Sequence, residues 1–592
     1  MATNLNLDSL TVGQNGRAFF NGLGSGIDIQ GAVDGLIEAK RIPIDRMEQR
    51  IADQELKMAA LRDVRTLALG LRDAVARLRG AISFDGASDV FKAKHVFASS
   101  TRDDAQSPTQ AAELIGVSVT NAAQAASHTI EVLQVAKAHK VASASIASAP
   151  SAALGLAGSF EINGRTITID ADDSLIELRD RINAANSGDG ATDVTASIVS
   201  ISASEQVLML TADETGTDAS IVASDTAGGV LQSLDILDGG GAFTDELQAA
   251  QNAQIKVDGL ATTIERQSNT INDVFSGVTL SLFKAEPGTT VRLDVERDLT
   301  QVKQAIVDFV GAYNDLRRFL NQQAQTDVPE DDETGAGILA GTSSLSQIRA
   351  RLAQSIGTAV QGDDPIFSVL AQIGITFQGA GQTGDPLSTN TMKIDEARLD
   401  EALLNQTEAV RELFAFGLSS SNSNVVLVGF DGNTSYSAGG YQLNVAYAGG
   451  SIVSANIGGS ADGSDDGSVS VQGNVLTVLQ GGAQGLKVIY NGSASASGIQ
   501  LDVSIGIGAQ LHAAMNGLAN VGDGLIASEI DSLGGQNQLN RDRIARLEER
   551  LERERERLFE RFVAMETALA SMNQLMESLR QQIDSSFYGG RR

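Results

Sequence analysis

Hydrophobic residues recur at alternating steps of three and four in three segments, which is typical of helices that pack seam to seam. In the first segment, a short helix from about 28 to 40 carries Val33, Leu36 and Ile37 on one side, and Asp28 is its predicted N-cap. A longer helix is predicted to follow, with Pro43 near its start. Its seam continues after one three-residue slip and consists of Ile44, Met47, Ile51, Gln54, Met58, Leu61, Val64, Ala68, Leu71, Val75 and Leu78.

The other two heptad segments lie in the middle and at the end of the chain. Asp298 and Gln301 form a predicted capping box before the second seam, which is Leu299, Val302, Ile306, Phe309, Tyr313, Leu316 and Leu320. The third seam contains one stutter and consists of Ile544, Leu547, Leu551, Glu554, Leu558, Phe562, Met565, Leu569, Met572, Met576, Leu579 and Ile583. Because apolar seams need cover, we expect the two chain ends to pack together as a stalk or against other chains.

Between the first two helical segments the hydrophobic period changes to two, which is typical of strands. Residues 278–282 and 291–295 alternate on either side of a Pro-Gly turn at 287–288, which predicts a β-hairpin. A second β-rich block is predicted at 422–505, with a tight turn at 473–474. This block has helices on both sides and therefore has the pattern of an inserted domain.

A β-α-β unit is predicted earlier in the chain. Its first strand covers residues 166–170, and its helix begins with a capping box made of Ser174 and Glu177. Its second strand starts at Val194. We expect this unit to belong to the β-rich part between the first and second helical segments.

The order of elements predicts a multidomain α+β fold, in which the N- and C-terminal segments form an α-helical coiled-coil stalk and β-rich head domains are inserted between them. We predict a disordered N-terminal extension at the start, and helical and β-rich segments alternate after it. The segments are 1–21 (extension), 22–100 (helical), 101–297 (β-rich head), 298–421 (helices packing with the stalk), 422–505 (inserted β-rich domain) and 506–592 (helical).

Composition narrows the possible partners. The chain of 592 residues has a formal net charge of −30, which disfavours binding to nucleic acid and to anionic membrane surfaces. It contains no cysteine, so disulfides, thiolate nucleophiles and cysteine metal sites are excluded. No apolar run reaches the roughly 18 residues that a transmembrane helix needs. The first twenty residues also lack the pattern of a cleaved secretory signal.

Three features could suggest chemistry, and each lacks a necessary part. The glycine-rich segment 22–26 lies where the chain has barely begun, without the strand and β-α-β context that we expect a dinucleotide site to need. The acidic segment 462–467 resembles the start of a calcium loop, but Gly473 stands where a bidentate carboxylate is needed. The histidines show no metal-binding spacing; they are His95, His128, His139 and His512. We therefore predict no catalytic residue, no metal, no cofactor and no enzymatic activity.

The dense alternation of Glu and Arg over residues 546–561 has two explanations. It is typical of a solvated helix with ion pairs four residues apart. It could equally select the register of a coiled coil, with Glu554 at an otherwise apolar seam position.

Several segments, in this order, resemble the flagellar filament-capping proteins, the flagellar hook-associated protein 2 family. They are the glycine-rich start at 22–28, the segment 127–132, the β-α-β unit, Asn-Asp-Val-Phe-Ser-Gly-Val-Thr-Leu at 272–280, and 309–316. The resemblance covers 22–420 and 505–585. The extension before residue 22 and the block at 422–505 depart from the family pattern.

The resemblance implies a structural cap at the distal end of the flagellar filament. Such a cap is a homo-oligomeric plate, here expected to have four to six subunits, whose helices dock at the filament tip and which promotes flagellin polymerisation. The β-α-β unit would be a repeat shared with flagellin. The implied partners are further copies of the chain, flagellin and an export chaperone, and the implied location is extracellular after export without a cleaved signal peptide.

We predict that the assembly interface consists of apolar positions on the first and last helices. The residues are Val33, Leu36, Ile37, Ile44, Met47, Ile51, Leu547, Leu551, Leu569, Met572, Met576 and Leu579. Two alternatives remain: a secreted surface adhesin that binds through its β-domains, and a flagellin-like filament or junction subunit.

Overall fold

The computed structural model describes residues 10–12, 18–20, 28–80, 89–104, 106–326, 337–362, 365–379, 385–459 and 467–588. These residues form one helical core and three cores built on β-sheets. The predicted fold class is confirmed, because long terminal helices enclose inserted β-rich domains.

Ten α-helices are present in the described residues. They are α1 Ile29–Ala76, α2 Ala111–Leu114, α3 Leu175–Ala185, α4 Val230–Ser233, α5 Leu299–Gln323, α6 Ser343–Gly357, α7 Glu396–Asn405, α8 Thr407–Phe414, α9 Ile507–Ala519 and α10 Leu525–Tyr588.

The strands of the described residues fall into three groups along the chain. The first two strands are β1 Leu10–Val12 and β2 Ala18–Phe20. The strands of the head are β3 Lys94–Arg102, β4 Ile115–Val119, β5 Ala126–Gln134, β6 Lys140–Ala142, β7 Gly158–Ile162, β8 Arg165–Ile169, β9 Val194–Ser200, β10 Gln206–Ala212, β11 Ala223–Ala227, β12 Asp245–Gln248, β13 Ala253–Val257, β14 Ile264–Arg266, β15 Thr270–Ile271, β16 Val278–Leu282 and β17 Thr289–Arg297. The later strands are β18 Ile375–Phe377, β19 Met392–Ile394, β20 Phe416–Ser420, β21 Val425–Gly429, β22 Tyr441–Ala448, β23 Ser451–Gly459, β24 Gly467–Gln472, β25 Val475–Val478, β26 Lys487–Tyr490 and β27 Ala496–Ile505.

The helical core is formed by the second half of α1 together with α5 to α9 and the start of α10. The predicted seam of α5 is buried there from Val302 onwards, and Phe309 contacts Phe414 edge to face with ring centroids 5.8 Å apart. Asp298 accepts a hydrogen bond from the Gln301 amide, so the predicted cap of α5 is present. This core fixes the half of α1 that begins at about residue 60.

The prediction of two successive helices in the first segment is wrong. The structure has one helix, α1, with Asp28 as its N-cap and Pro43 in its interior. Proline removes one backbone hydrogen bond and crowds the preceding turn. Ion pairs with α10 lie on both sides of Pro43, at Arg41 before it and at Glu55 after it, and they support a continuous helix.

The predicted hairpin of residues 278–295 is also wrong. β16 pairs with β4 and β15, whereas β17 pairs with β3 and β5 in a separate five-stranded sheet. Both sheets bury apolar side chains in one shared core. Hydrophobic residues at every second position indicate that one face of a strand is buried, but they do not identify the neighbouring strand. The six residues 283–288 carry the chain from one sheet to the other.

The strand, helix and strand predicted from 166 onwards are confirmed as elements, but they do not form a single β-α-β unit. β8 lies in the sheet β11-β7-β8, and β9 lies in the sheet β12-β6-β10-β9. The helix between them, α3, has the predicted capping box, in which the Ser174 amide donates to Glu177 Oε2 at 2.7 Å. α3 packs its apolar side against the core that the two sheets share.

The inserted β-block is an eight-stranded sheet in the order β20-β27-β22-β23-β24-β25-β26-β21. Gly473 and Asn474 form the predicted two-residue turn, because Gln472 pairs with Val475 and Gly473 has a φ of +61°. The block starts at β20, before the predicted boundary at 422, because β20 pairs with β27 along its whole length. The head likewise starts at β3, before the predicted boundary at 101, because β3 pairs with β17.

The prediction of disorder for residues 1–21 is wrong for six of them, because β1 and β2 pair antiparallel. The glycines at 22–26 and the acidic residues 462–466 lie outside the described residues.

Candidate assembly interface

The predicted pairing of the two chain ends takes place between α1 and α10, which run antiparallel. Ion pairs join Asp34 to Arg555, with nitrogen and oxygen 3.0 Å apart, and Arg41 to Glu548 at 3.4 Å. Two further pairs, Lys40 with Glu554 and Glu55 with Arg541, follow the same register. The partner number falls as the α1 number rises, so the helices point in opposite directions. We call this paired region the stalk.

The predicted interface residues differ in exposure along the stalk. Val33 and Ile44 are 1% exposed, so they are covered within the subunit. Leu36 is 46% exposed and faces solvent. The remaining predicted residues of the stalk are half-buried and leave apolar surface open; they are Ile37, Met47, Ile51, Leu547 and Leu551.

Polar residues interrupt the apolar seam where α1 enters the helical core. Gln54 donates from Nε2 to Gln536 Oε1 at 3.0 Å across the helix pair. Asn537 is 2% exposed at the same level. We call Gln54, Gln536 and Asn537 the amide layer. The heptad pattern includes Gln54, but sequence reasoning missed its partners because they lie outside the predicted third seam.

α10 extends beyond the start of α1. Because Asp34 lies opposite Arg555, Ile29 lies opposite about residue 560, and α10 continues to Tyr588. This overhang of about 28 residues is about 40 Å long. Its seam is largely exposed, at 58% for Met572 and 65% for Met576. We call the seam of the overhang the terminal stripe, and its members are Met565, Leu569, Met572, Met576, Leu579 and Ile583.

The charges on the stalk serve both predicted roles of the Glu-Arg segment. Arg553 pairs with Glu549 four residues away on the same helix. Glu554, at its seam position, instead pairs across the helices with Lys40, and this hydrogen bond holds the pKa of the Glu554 carboxyl below its usual range. All of these groups are partly exposed, so water screens each pair, and the pairs serve mainly to set the register.

The structure offers little for metal or catalytic chemistry in its described residues. No group of three or more His, Asp or Glu side chains there is arranged as a metal site. The four histidines have different neighbours. His95 contacts Phe97 edge to face, and His128, His139 and His512 contact Asp258, Glu246 and Arg79, respectively. None of the described helices has the length and apolar composition needed to cross a membrane.

Two parts of the chain match known families. Residues 25–139 match the N-terminal family described as "Flagellar hook-associated protein 2 N-terminus", and residues 250–574 match "Flagellar hook-associated protein 2 C-terminus". The chain belongs to the flagellar hook-associated protein 2 family. The predicted family is therefore confirmed, and the match contains all of α1 and most of α10.

Individual relatives agree with the family assignment. The B-type flagellar hook-associated protein 2 of Pseudomonas aeruginosa is 30% identical over 369 residues, which cover 59% of this chain and 72% of that protein. The flagellar hook-associated protein 2 of Salmonella typhimurium is 34% identical over 254 residues, which cover 42% of this chain. The chain thus spans half the length of that relative. A crystal structure of the D1-D2-D3 domains of the flagellar cap protein FliD from Escherichia coli is similar with a TM-score of 0.45 and 25% identity, covering 60% of this chain and 89% of that one.

The family match has two limits that bear on the interface. The stretch 140–249, which contains α3, lies between the two matched segments. The C-terminal match ends at residue 574, so Leu569 and Met572 lie inside it and Met576 and Leu579 lie beyond it. The role of the twelve predicted interface residues remains a prediction.

Proposed function

We propose that this chain is a structural cap at the distal end of the bacterial flagellar filament, outside the cell, where it promotes flagellin polymerisation. Membership of the flagellar hook-associated protein 2 family supports this proposal. Solved relatives carry the description flagellar cap protein. In this proposal the chain acts by assembly and not as an enzyme.

The terminal stripe is the observation that carries the mechanism. It presents apolar residues at heptad spacing on a helix that projects beyond its partner, and most of them are about half exposed. A helix with an uncovered heptad seam gains free energy when a second helix covers that seam. The end of a filament built from helical subunits offers such helices, so the stripe can dock there.

The partners follow from the same surface. We propose that four to six copies of the chain form the cap, that flagellin is inserted beneath it, and that an export chaperone covers the stripe before assembly. In this proposal the β-rich head and the β-block form the plate.

Site-specific labelling tests the location. The chain has no cysteine, so the change Ser493→Cys in the exposed part of the β-block gives one attachment point for a fluorophore or gold particle. We expect one focus at the distal end of each filament. Label along the whole shaft would instead identify a flagellin-like subunit and contradict the proposal.

A further inference from the structure

α10 contains two adjacent glycines, Gly534 and Gly535, where it leaves the helical core. A side chain added at Gly535 would meet nothing within 4 Å, and one at Gly534 would touch only the flexible end of Met58 at 3.8 Å. No close approach therefore requires these glycines. Single glycines occur in other helices, for example Gly70 in α1, but among the described helices only α10 has two in succession. Glycine is a poor helix former, so α10 is intrinsically weak at this point.

The amide layer lies at the same level as the two glycines and weakens the packing independently. Gln54 Oε1 and Asn537 Oδ1 are both shielded from solvent and have no hydrogen-bond partner. A buried acceptor without a partner is unfavourable, and exposure to water would relieve it. The closed stalk is therefore least stable where α10 is least rigid.

The exposure of the apolar side chains differs on the two sides of the amide layer. On the core side of it, Leu61 and Val64 on α1 and Ile526 on α10 are at most 1% exposed. On the stalk side, Met47 and Ile51 are only half-buried, and Leu539 is 60% exposed. The start of α10 is thus held firmly by the helical core, while the rest is held by a partial seam and by ion pairs that water can reach.

We infer that Gly534-Gly535 is a hinge at which the distal part of α10 separates from α1 as one rigid helix. The core-side part of α10 stays in place, and α1 remains continuous. Opening hydrates the amide layer, breaks the Lys40–Glu554 and Asp34–Arg555 pairs, and exposes the inner seam of both helices. The seam of α1 then becomes available to a helix of another subunit. This inference rests on the geometry of the isolated chain and does not depend on the proposed function.

Distance measurement between spin labels in the full-length chain tests the hinge. Glu38→Cys on α1 and Arg550→Cys on α10 place exposed labels beyond the hinge, and the labelled protein is diluted with unlabelled chain so that only distances within one subunit are seen. We expect a short distance from the closed stalk together with a long component from open chains. The double change Gly534→Ala and Gly535→Ala should reduce the long component roughly twentyfold, from the helix propensities of the two residues.

Two controls make the result specific. Gly70→Ala places one alanine on the half of α1 that is held by the helical core, at a position where the added methyl group contacts nothing within 4 Å. This change should leave the long component unchanged. Labels at Arg62→Cys and Ser528→Cys, on the core side of the hinge, should give one narrow distance in every variant. A single short distance beyond the hinge in the unmodified chain would overturn the inference. A long component that the two alanines leave unchanged would do so as well.

Discussion

Replacing the terminal stripe with polar residues of equal helix propensity should prevent capping while leaving the subunit folded. The change is to glutamine, which is as good a helix former as leucine or methionine, so the helix itself is retained. It is made at the four stripe positions predicted from the sequence, Leu569, Met572, Met576 and Leu579.

The size of the effect follows from the exposed surface. Met572, Met576 and Leu579 are 58%, 65% and 44% exposed, and Leu569 is half-buried. Full burial of such a side chain contributes about 1.5–3 kcal/mol, so the exposed part of each contributes about 1 kcal/mol on docking. The four together give about 3–5 kcal/mol per subunit, which corresponds to a loss of at least about a hundredfold in affinity.

The assay is electron microscopy of filaments in cells that carry the variant in place of the natural chain. We expect absent or short filaments and unpolymerised flagellin in the medium. Circular dichroism of the purified variant should show unchanged helix content and an unchanged unfolding temperature. The matched control exchanges leucine and methionine at the same four positions, which keeps the seam apolar and should keep capping. Filaments of normal length from the glutamine variant would refute the reasoning.

Two further changes probe the folded subunit. Burial and the nearby charges of Arg79 and Arg72 lower the pKa of His512 from 6.5 to about 4. Because the folded state favours neutral histidine, the free energy of unfolding should be highest above pH 6.5. It should fall by up to about 2 kcal/mol as the pH drops towards 4. His512→Asn, which keeps an acceptor for Arg79, should remove this part of the pH dependence in urea unfolding. Ser174→Ala removes one half of the capping box with Glu177 and should destabilise the α3 domain by about 1 kcal/mol in thermal unfolding, whereas Ser174→Asp should retain the cap.

The sequence predicted the elements whose signals are local. The caps at Asp28, Ser174 and Asp298 are present in the structure, because a cap depends on three or four adjacent residues. The heptad spacing identified the helices of the stalk for a similar reason. Which strands pair was not predictable from alternation, and the wrong hairpin at 278–295 shows this limit.

The stalk itself was only partly predictable. α10 begins at Leu525, well before the predicted third seam. The sequence pattern did not indicate this early start, because Gly534, Gly535 and Asn537 are residues typical of turns. Packing of Ile526 in the helical core and pairing with α1 outweigh this local preference. Exposure of the terminal stripe could not be read from spacing at all, since a heptad pattern does not state whether its partner lies in the same chain.

The antiparallel stalk also sets the order in which the molecule can be completed during synthesis. Asp34 and Arg555 are 521 positions apart, so α1 is made early and its partner helix is among the last segments to appear. The strands of the head pair with one another within residues 94–297 and those of the β-block within 416–505, so these domains can fold before the partner helix of α1 has been made. Until α10 has been made, the part of α1 that belongs to the stalk has no partner helix. The length of the inserted domains determines how long α1 remains unpaired.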